Sequence, residues 1–185
     1  MAIKAGAFFL KGLARYDHYW INVRLPSIGV RQKLKGDGYG GMAQLGVRIG
    51  GGGFFAEPSV SVDYTRSSID TITVAGSRLG FGDTDGLRGR AGLRVGSTMR
   101  SGGTTTSVYL KGEAIHEFKG EDRLNFANGS FDLGFVNRRL DTYGRGTVGV
   151  TIASGTNVRG FLEAFGDVGQ RYRGGGGRAG LAISF

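Results

Sequence analysis

The chain has 185 residues, enough for one domain, with 37 glycines, 2 prolines, no cysteine, 12 phenylalanines and 7 tyrosines. Without cysteine there are no disulfides, Cys-ligated zinc sites or thiol nucleophiles, and no run of about 18 apolar residues supplies a transmembrane helix. A formal net charge of +9 suggests an anionic partner, nucleic acid or a membrane surface, unless the cations turn inward.

In chain order, the sequence alternates apolar and polar residues in a series of segments, as strands with two different faces require. Phe8, Leu10, Gly12, Ala14 and Tyr16 oppose Phe9, Lys11, Leu13, Arg15 and Asp17. Tyr39, Gly41, Ala43, Leu45, Val47 and Ile49 oppose Gly40, Met42, Gln44, Gly46 and Arg48. The clearest pattern sets Phe54, Ala56, Pro58, Val60, Val62 and Tyr64 against Phe55, Glu57, Ser59, Ser61, Asp63 and Thr65. Next, Leu87, Gly89, Ala91, Leu93 and Val95 interleave with Arg88, Arg90, Gly92, Arg94 and Gly96. Helical spacing would scatter those arginines, whereas strand spacing gathers them on one side. Val108, Leu110, Gly112 and Ala114 then oppose Tyr109, Lys111, Glu113 and Ile115. Residues 140–152 set Leu140, Gly144, Gly146, Val148, Val150 and Ile152 against Asp141, Tyr143, Arg145, Thr147 and Thr151, and segments at 158–166 and 176–185 complete the series.

The links alternate in length: long at 20–38, short at 50–53, long at 66–86, short at 100–105, long at 119–138, short at 153–156 and intermediate at 167–175. Outer-membrane barrels sort their connections this way, with short periplasmic turns and long extracellular loops. The expected fold is all-β, an antiparallel up-and-down transmembrane β-barrel with about eight strands, each near the ~9 to 11 residues a tilted membrane strand needs. Residues 1–185 then form one domain. An even strand count places both termini, including the C-terminus, in the periplasm of a Gram-negative cell. The first residues carry no secretory signal, so the sequence reads as an N-terminally incomplete part of a longer protein.

From residue 38 onward the chain resembles the autotransporter C-terminal β-domain. The resemblance rests on Gly38-Tyr39-Gly40-Gly41 before a glycine turn, then Phe54-Phe55-Ala56-Glu57-Pro58 and Tyr64, then a long link. It continues through Asp85-Gly86-Leu87-Arg88-Gly89-Arg90-Ala91-Gly92-Leu93-Arg94 and closes on an alternating strand ending in Phe185. It implies a translocator and outer-membrane anchor in type V secretion, a non-catalytic protein-transport role, and a porin-like barrel that the family builds from more strands than the sequence shows. It also implies an N-terminal passenger outside this chain, outer-membrane lipid as surroundings, and barrel-assembly machinery that reads Leu181, Ile183 and Phe185. The alternative is a small self-contained eight-stranded outer-membrane protein acting in adhesion or envelope integrity. A more distant alternative is a soluble basic β-sandwich binding an anionic polymer.

The polar faces gather Glu57, Arg88, Arg90, Arg94, Lys111, Glu113, Arg145 and Glu163 as lumen-facing charges. They could guide a polar chain or ions, but a structural network is preferred because buried charges need partners across neighbouring strands. Inward cations also argue against nucleic acid, and no face interleaves aromatic and basic residues as strand-based RNA readers do. No cofactor, metal or catalytic group is expected. Gly175, Gly177 and Gly180 have dinucleotide-loop spacing without a following helix. Asp83 and Asp85 read as a turn rather than a calcium loop, and His18 beside Asp17 and His116 read as rim residues. Trp20, Tyr16, Tyr19 and Tyr39 suit an interfacial aromatic girdle.

Overall fold

Alternating side chains separated by glycine turns favour strands that pair with their immediate neighbours. The computed structural model, which describes residues 1–26, 30–51, 53–74, 76–129, 131–137, 139–155, 157–170 and 172–184, has this architecture. Its strands are β1 (Ala2–Ala5), β2 (Phe8–Leu25), β3 (Val30–Val47), β4 (Phe54–Ile69), β5 (Ile72–Val74) and β6 (Ser77–Phe81). They continue with β7 (Thr84–Ser101), β8 (Thr104–Asn128), β9 (Phe131–Asn137), β10 (Thr142–Ser154), β11 (Val158–Gly169) and β12 (Arg173–Ile183). Every pairing is antiparallel, and the main path runs β1-β2-β3-β4-β7-β8-β10-β11-β12. Among the described residues nothing pairs β1 with β12, so the sheet is a curled strip with two edges.

Among the described residues twelve strands are present rather than about eight. The additional ones are the short edge strand β1 and β5, β6 and β9, which lie in segments expected to be loops. The long links are largely paired. Residues 20–25 and 30–38 extend the β2–β3 ladder, with Trp20 opposite Lys35 and Arg24 opposite Arg31. β6 pairs with the far end of β8, which also pairs with β9, making a small outer sheet with β5. The expectation of loops failed because backbone hydrogen bonding does not depend on side-chain polarity, so a solvated ribbon need not alternate apolar and polar residues. Residue 140 is also not a strand start: β10 begins at Thr142, after Asp141 with φ 56°.

The short connections follow turn chemistry. Ser101 pairs with Thr104 across Gly102 (φ 54°) and Gly103 (φ 77°), the two positive φ values of a tight hairpin that twists with its strands. Further along the same ladder, Gly96 has no room for a side chain, since a Cβ there would run into the Val108 carbonyl oxygen and lie 2.7 Å from Phe55 Cζ and 2.8 Å from Tyr109 Cβ.

Burial is inverted relative to a water-soluble sheet. Leu93, Leu110, Leu162 and Leu181 are 49, 61, 59 and 70% exposed. The buried set is Phe9, Leu34, Phe55, Tyr109, Ile115 and Tyr143, together with the charged Glu57, Glu117 and Asp167. All of these have the parity of a polar face named from the sequence, which Leu34 and Glu117 extend further along β3 and β8, or pair directly with such a residue. Glu117 joins them through its ion pair with Arg88.

Candidate functional site: a charged inner face

The curl brings one face of the sheet around a shared cavity of about 440 Å³. All eight long strands contribute to its wall, from Phe9 and Lys11 on β2 to Arg178 on β12. Strand register decides which charges meet. Glu57 lies opposite Arg94 in the β4–β7 ladder and accepts from Arg94 Nη1 at 3.2 Å and from Arg48 Nη1 at 2.8 Å. Two guanidiniums therefore share one nearly buried carboxylate. Arg94 also stacks over Tyr109, 3.7 Å from the ring centre, and Arg48 over Phe55 at 4.1 Å, so each cation has an aromatic face as well as an anion.

The pattern continues around the wall. Arg90 comes within 3.2 Å of Asp63 in an ionic contact without the alignment of a hydrogen bond. Lys111 pairs with Glu113 two residues along β8 at 2.7 Å. Glu113 lies opposite Arg145 in the β8–β10 ladder, and Arg145 grips Asp167 through two bonds of 2.6 and 2.8 Å. That geometry suits a planar guanidinium on a carboxylate, and Asp167 is only 3% exposed. Glu163 receives both the Tyr109 hydroxyl and Arg178 Nε. Arg88 stands apart from the cavity wall. A bulge between Leu87 and Arg88 shifts the register with β8 and sets Arg88 against Glu117 at 2.6 Å, while Glu117 also accepts the Leu140 amide at 3.0 Å.

The eight charges named from the sequence therefore share one face, and seven of them line one cavity. The sequence reading omitted several partners: Arg48, Asp63, Glu117, Asp167, Arg178 and Tyr109. Strand parity carried the signal, because Asp167 lies four positions from Glu163 and Arg178 sits opposite Glu163.

The remaining candidates are also placed. His18 pairs across the ladder with Asp37, at 2.6 Å, rather than with its neighbour Asp17. Tyr16 donates to the same carboxylate at 2.6 Å. Beyond the spanning segments, these two bonds hold the Asp37 carboxyl below its ordinary value, the His18 bond contributing more. His116 meets Thr142 at 2.7 Å. Arg66 contacts both Asp83 at 2.7 Å and Asp85 at 3.6 Å. Tyr16 and Tyr39 face each other across β2 and β3, and Tyr39 lies 6.3 Å from Tyr64, so one row of rings crosses three strands. Tyr19 has the opposite parity from Trp20 and falls outside that row. Gly175, Gly177 and Gly180 lie within β12. Leu181 and Ile183 are exposed in the same strand, and Phe185 lies outside the described residues.

An antiparallel meander with exposed leucines on one face and paired charges on the other is a membrane-spanning β-protein. The chain belongs to the autotransporter beta-domain family, whose model matches residues 2–164. That match starts earlier than the sequence resemblance and stops before β12. The fold is similar to the beta domain of the Bordetella autotransporter Brka, with 22% identity and a TM-score of 0.70, covering all of this chain and 70% of that one. No curated protein matched the chain. The chain is thus an outer-membrane translocator domain of the autotransporter type, and the small self-contained barrel is not favoured.

Proposed function

We propose that the curled sheet is most of a barrel that further strands close, that it performs no catalysis, and that the inner charges form a structural wall for the pore. The carrying observation is the inversion of burial, with leucines outside and ion pairs such as Glu57–Arg94 and Arg145–Asp167 inside. The two unpaired edges and the greater length of the Brka domain support completion by added strands. An eight-stranded closure would be just wide enough for its own side chains, leaving no path for a polypeptide. In this reading the C-terminus lies in the periplasm with the short turns, barrel-assembly machinery reads Leu181, Ile183 and Phe185, and a passenger precedes the barrel.

The test places a secretory signal and a short epitope before Met1 in a Gram-negative host. The expected result is heat-modifiable gel migration together with antibody labelling of the epitope on intact cells. An inserted barrel whose epitope stays in the periplasm would overturn translocation by this chain while leaving the anchor. A water-soluble chain without heat modifiability would overturn both.

A further inference from the structure

The outward face of the β2–β3 ribbon changes character along its length. Near the short-turn end it presents Phe8 and Leu10, then Tyr16 opposite Tyr39, then Trp20 opposite Lys35, Asn22 opposite Lys33 and Arg24 opposite Arg31. These lie on one face because cross-strand partners and every second residue share a side. Trp20, Arg24, Arg31, Lys33 and Lys35 are all exposed. The other side of the same ribbon carries Ile21, Val23 and the buried Leu34.

None of the four cations forms an ion pair among the described residues. Of the nearby acids, Asp37 holds Tyr16 and His18 and also feels the Lys35 charge, and the Asp70 carboxylate accepts the Lys35 amide. Arg24 directly opposite Arg31 is a repulsive arrangement, which an external anion would relieve. With a rise of ~3.4 Å per residue and a tilt near ~45°, Lys35 stands roughly 10 Å and Arg31 roughly 20 Å beyond the tyrosine row. On the lipid-facing side, that span starts above the hydrocarbon at Lys35 and reaches outward past the roughly 5–8 Å of an ordinary headgroup layer, to the height of a larger, sugar-bearing headgroup.

We infer that this outward basic face is a docking site for the phosphorylated headgroup of an outer-leaflet glycolipid, with Arg24, Arg31, Lys33 and Lys35 binding its phosphates and Trp20 at the boundary. The inference rests on the membrane reading above, with the long-link end outermost. Charge complementarity and continuity with the apolar belt favour a lipid over a soluble anion, because a ligand with tails along Leu10 and a large outward headgroup carries phosphates along this span. Each cation near an anionic lipid surface contributes roughly a fivefold gain in binding.

Trp20 is the chain's only tryptophan, so intrinsic fluorescence reports on this face. The full chain in neutral detergent is titrated with a bisphosphorylated glycolipid, its dephosphorylated form and inorganic phosphate. A saturable Trp20 response to the phosphorylated lipid is expected, weakened at least tenfold by Arg24→Gln, Arg31→Gln, Lys33→Gln and Lys35→Gln together, with heat modifiability retained. The pair Lys33→Glu and Lys35→Glu should give a comparable loss, which guards against a fold defect in the fourfold variant. Equal midpoints for wild type and both variants, or equal binding of the dephosphorylated lipid, overturn the inference. Inorganic phosphate binding as tightly as the lipid replaces the lipid site with a simple phosphate site and overturns it too. A wild-type chain that is not heat-modifiable defeats the membrane reading itself.

Discussion

The lower and upper parts of β2 and β3 form one continuous ladder with opposite polarity. Below Tyr16 the outward residues are Phe8, Leu10 and Ala14 and the inward ones include Phe9 and Lys11. Above Trp20 the outward residues are Asn22 and Arg24 and the other side carries Ile21 and Val23. The backbone keeps its register across the change. The surroundings differ instead: hydrocarbon outside the lower part, water and headgroups around the upper. Side-chain parity sets geometry, and the solvent decides which parity is apolar.

The comparison breaks most visibly if the inner face loses an anion. Glu57→Ala strands Arg48 and Arg94, and removing one partner of a buried pair costs about 3–5 kcal/mol, measurable by urea unfolding of the chain in lipid vesicles. Val60→Arg, on the outward face of the spanning part, should cost about 2–4 kcal/mol in the same assay. Phe131→Arg, on the exposed strand β9 of the outer sheet, should stay within about 0.5 kcal/mol of wild type. Equal penalties at the two sites would erase the distinction between the regions. Gly96→Ala pushes a Cβ against Phe55 and Tyr109 and should destabilise the barrel by about 1–3 kcal/mol through overpacking.

The smallest effect concerns pH. The Asp37 carboxyl is held low by His18 and Tyr16, so the unfolded ribbon binds the proton more readily than the folded one. Its contribution is fully present above the ordinary aspartate value, roughly 3.9, and disappears as pH falls through the lowered folded value. Protection of the Lys35 and Asp37 amides against hydrogen exchange, relative to intrinsic rates at each pH, should fall over that acidic window, while protection in β10 and β11 stays unchanged.

Much of the spanning part was legible because hydrocarbon imposes strict alternation, as the interleaving of Arg88, Arg90 and Arg94 with Leu87, Leu93 and Val95 shows. Ladders beyond the tyrosine row were not legible: Ser67, Ser68 and Gly86 resemble loop residues, and water imposes no pattern on them. The inner charges were recognised where they recur within a segment. Asp167 was overlooked because the sequence reading ended its strand at residue 166, although its parity with Glu163 carried the signal; which cation it meets depends on register.

β8 runs unbroken for 25 residues, roughly 80 Å at the usual rise, from the Gly102-Gly103 hairpin to the outer sheet. At one end it is bonded to β7 and β10, and at the other to β6 and β9. A tug on the outer sheet therefore travels along a single covalent rod and arrives as shear on two flanking ladders, where many bonds must yield together. The bulge opposite Leu87 and Arg88 adds one residue, Phe118, to that rod where its register with β7 shifts, which bends it locally.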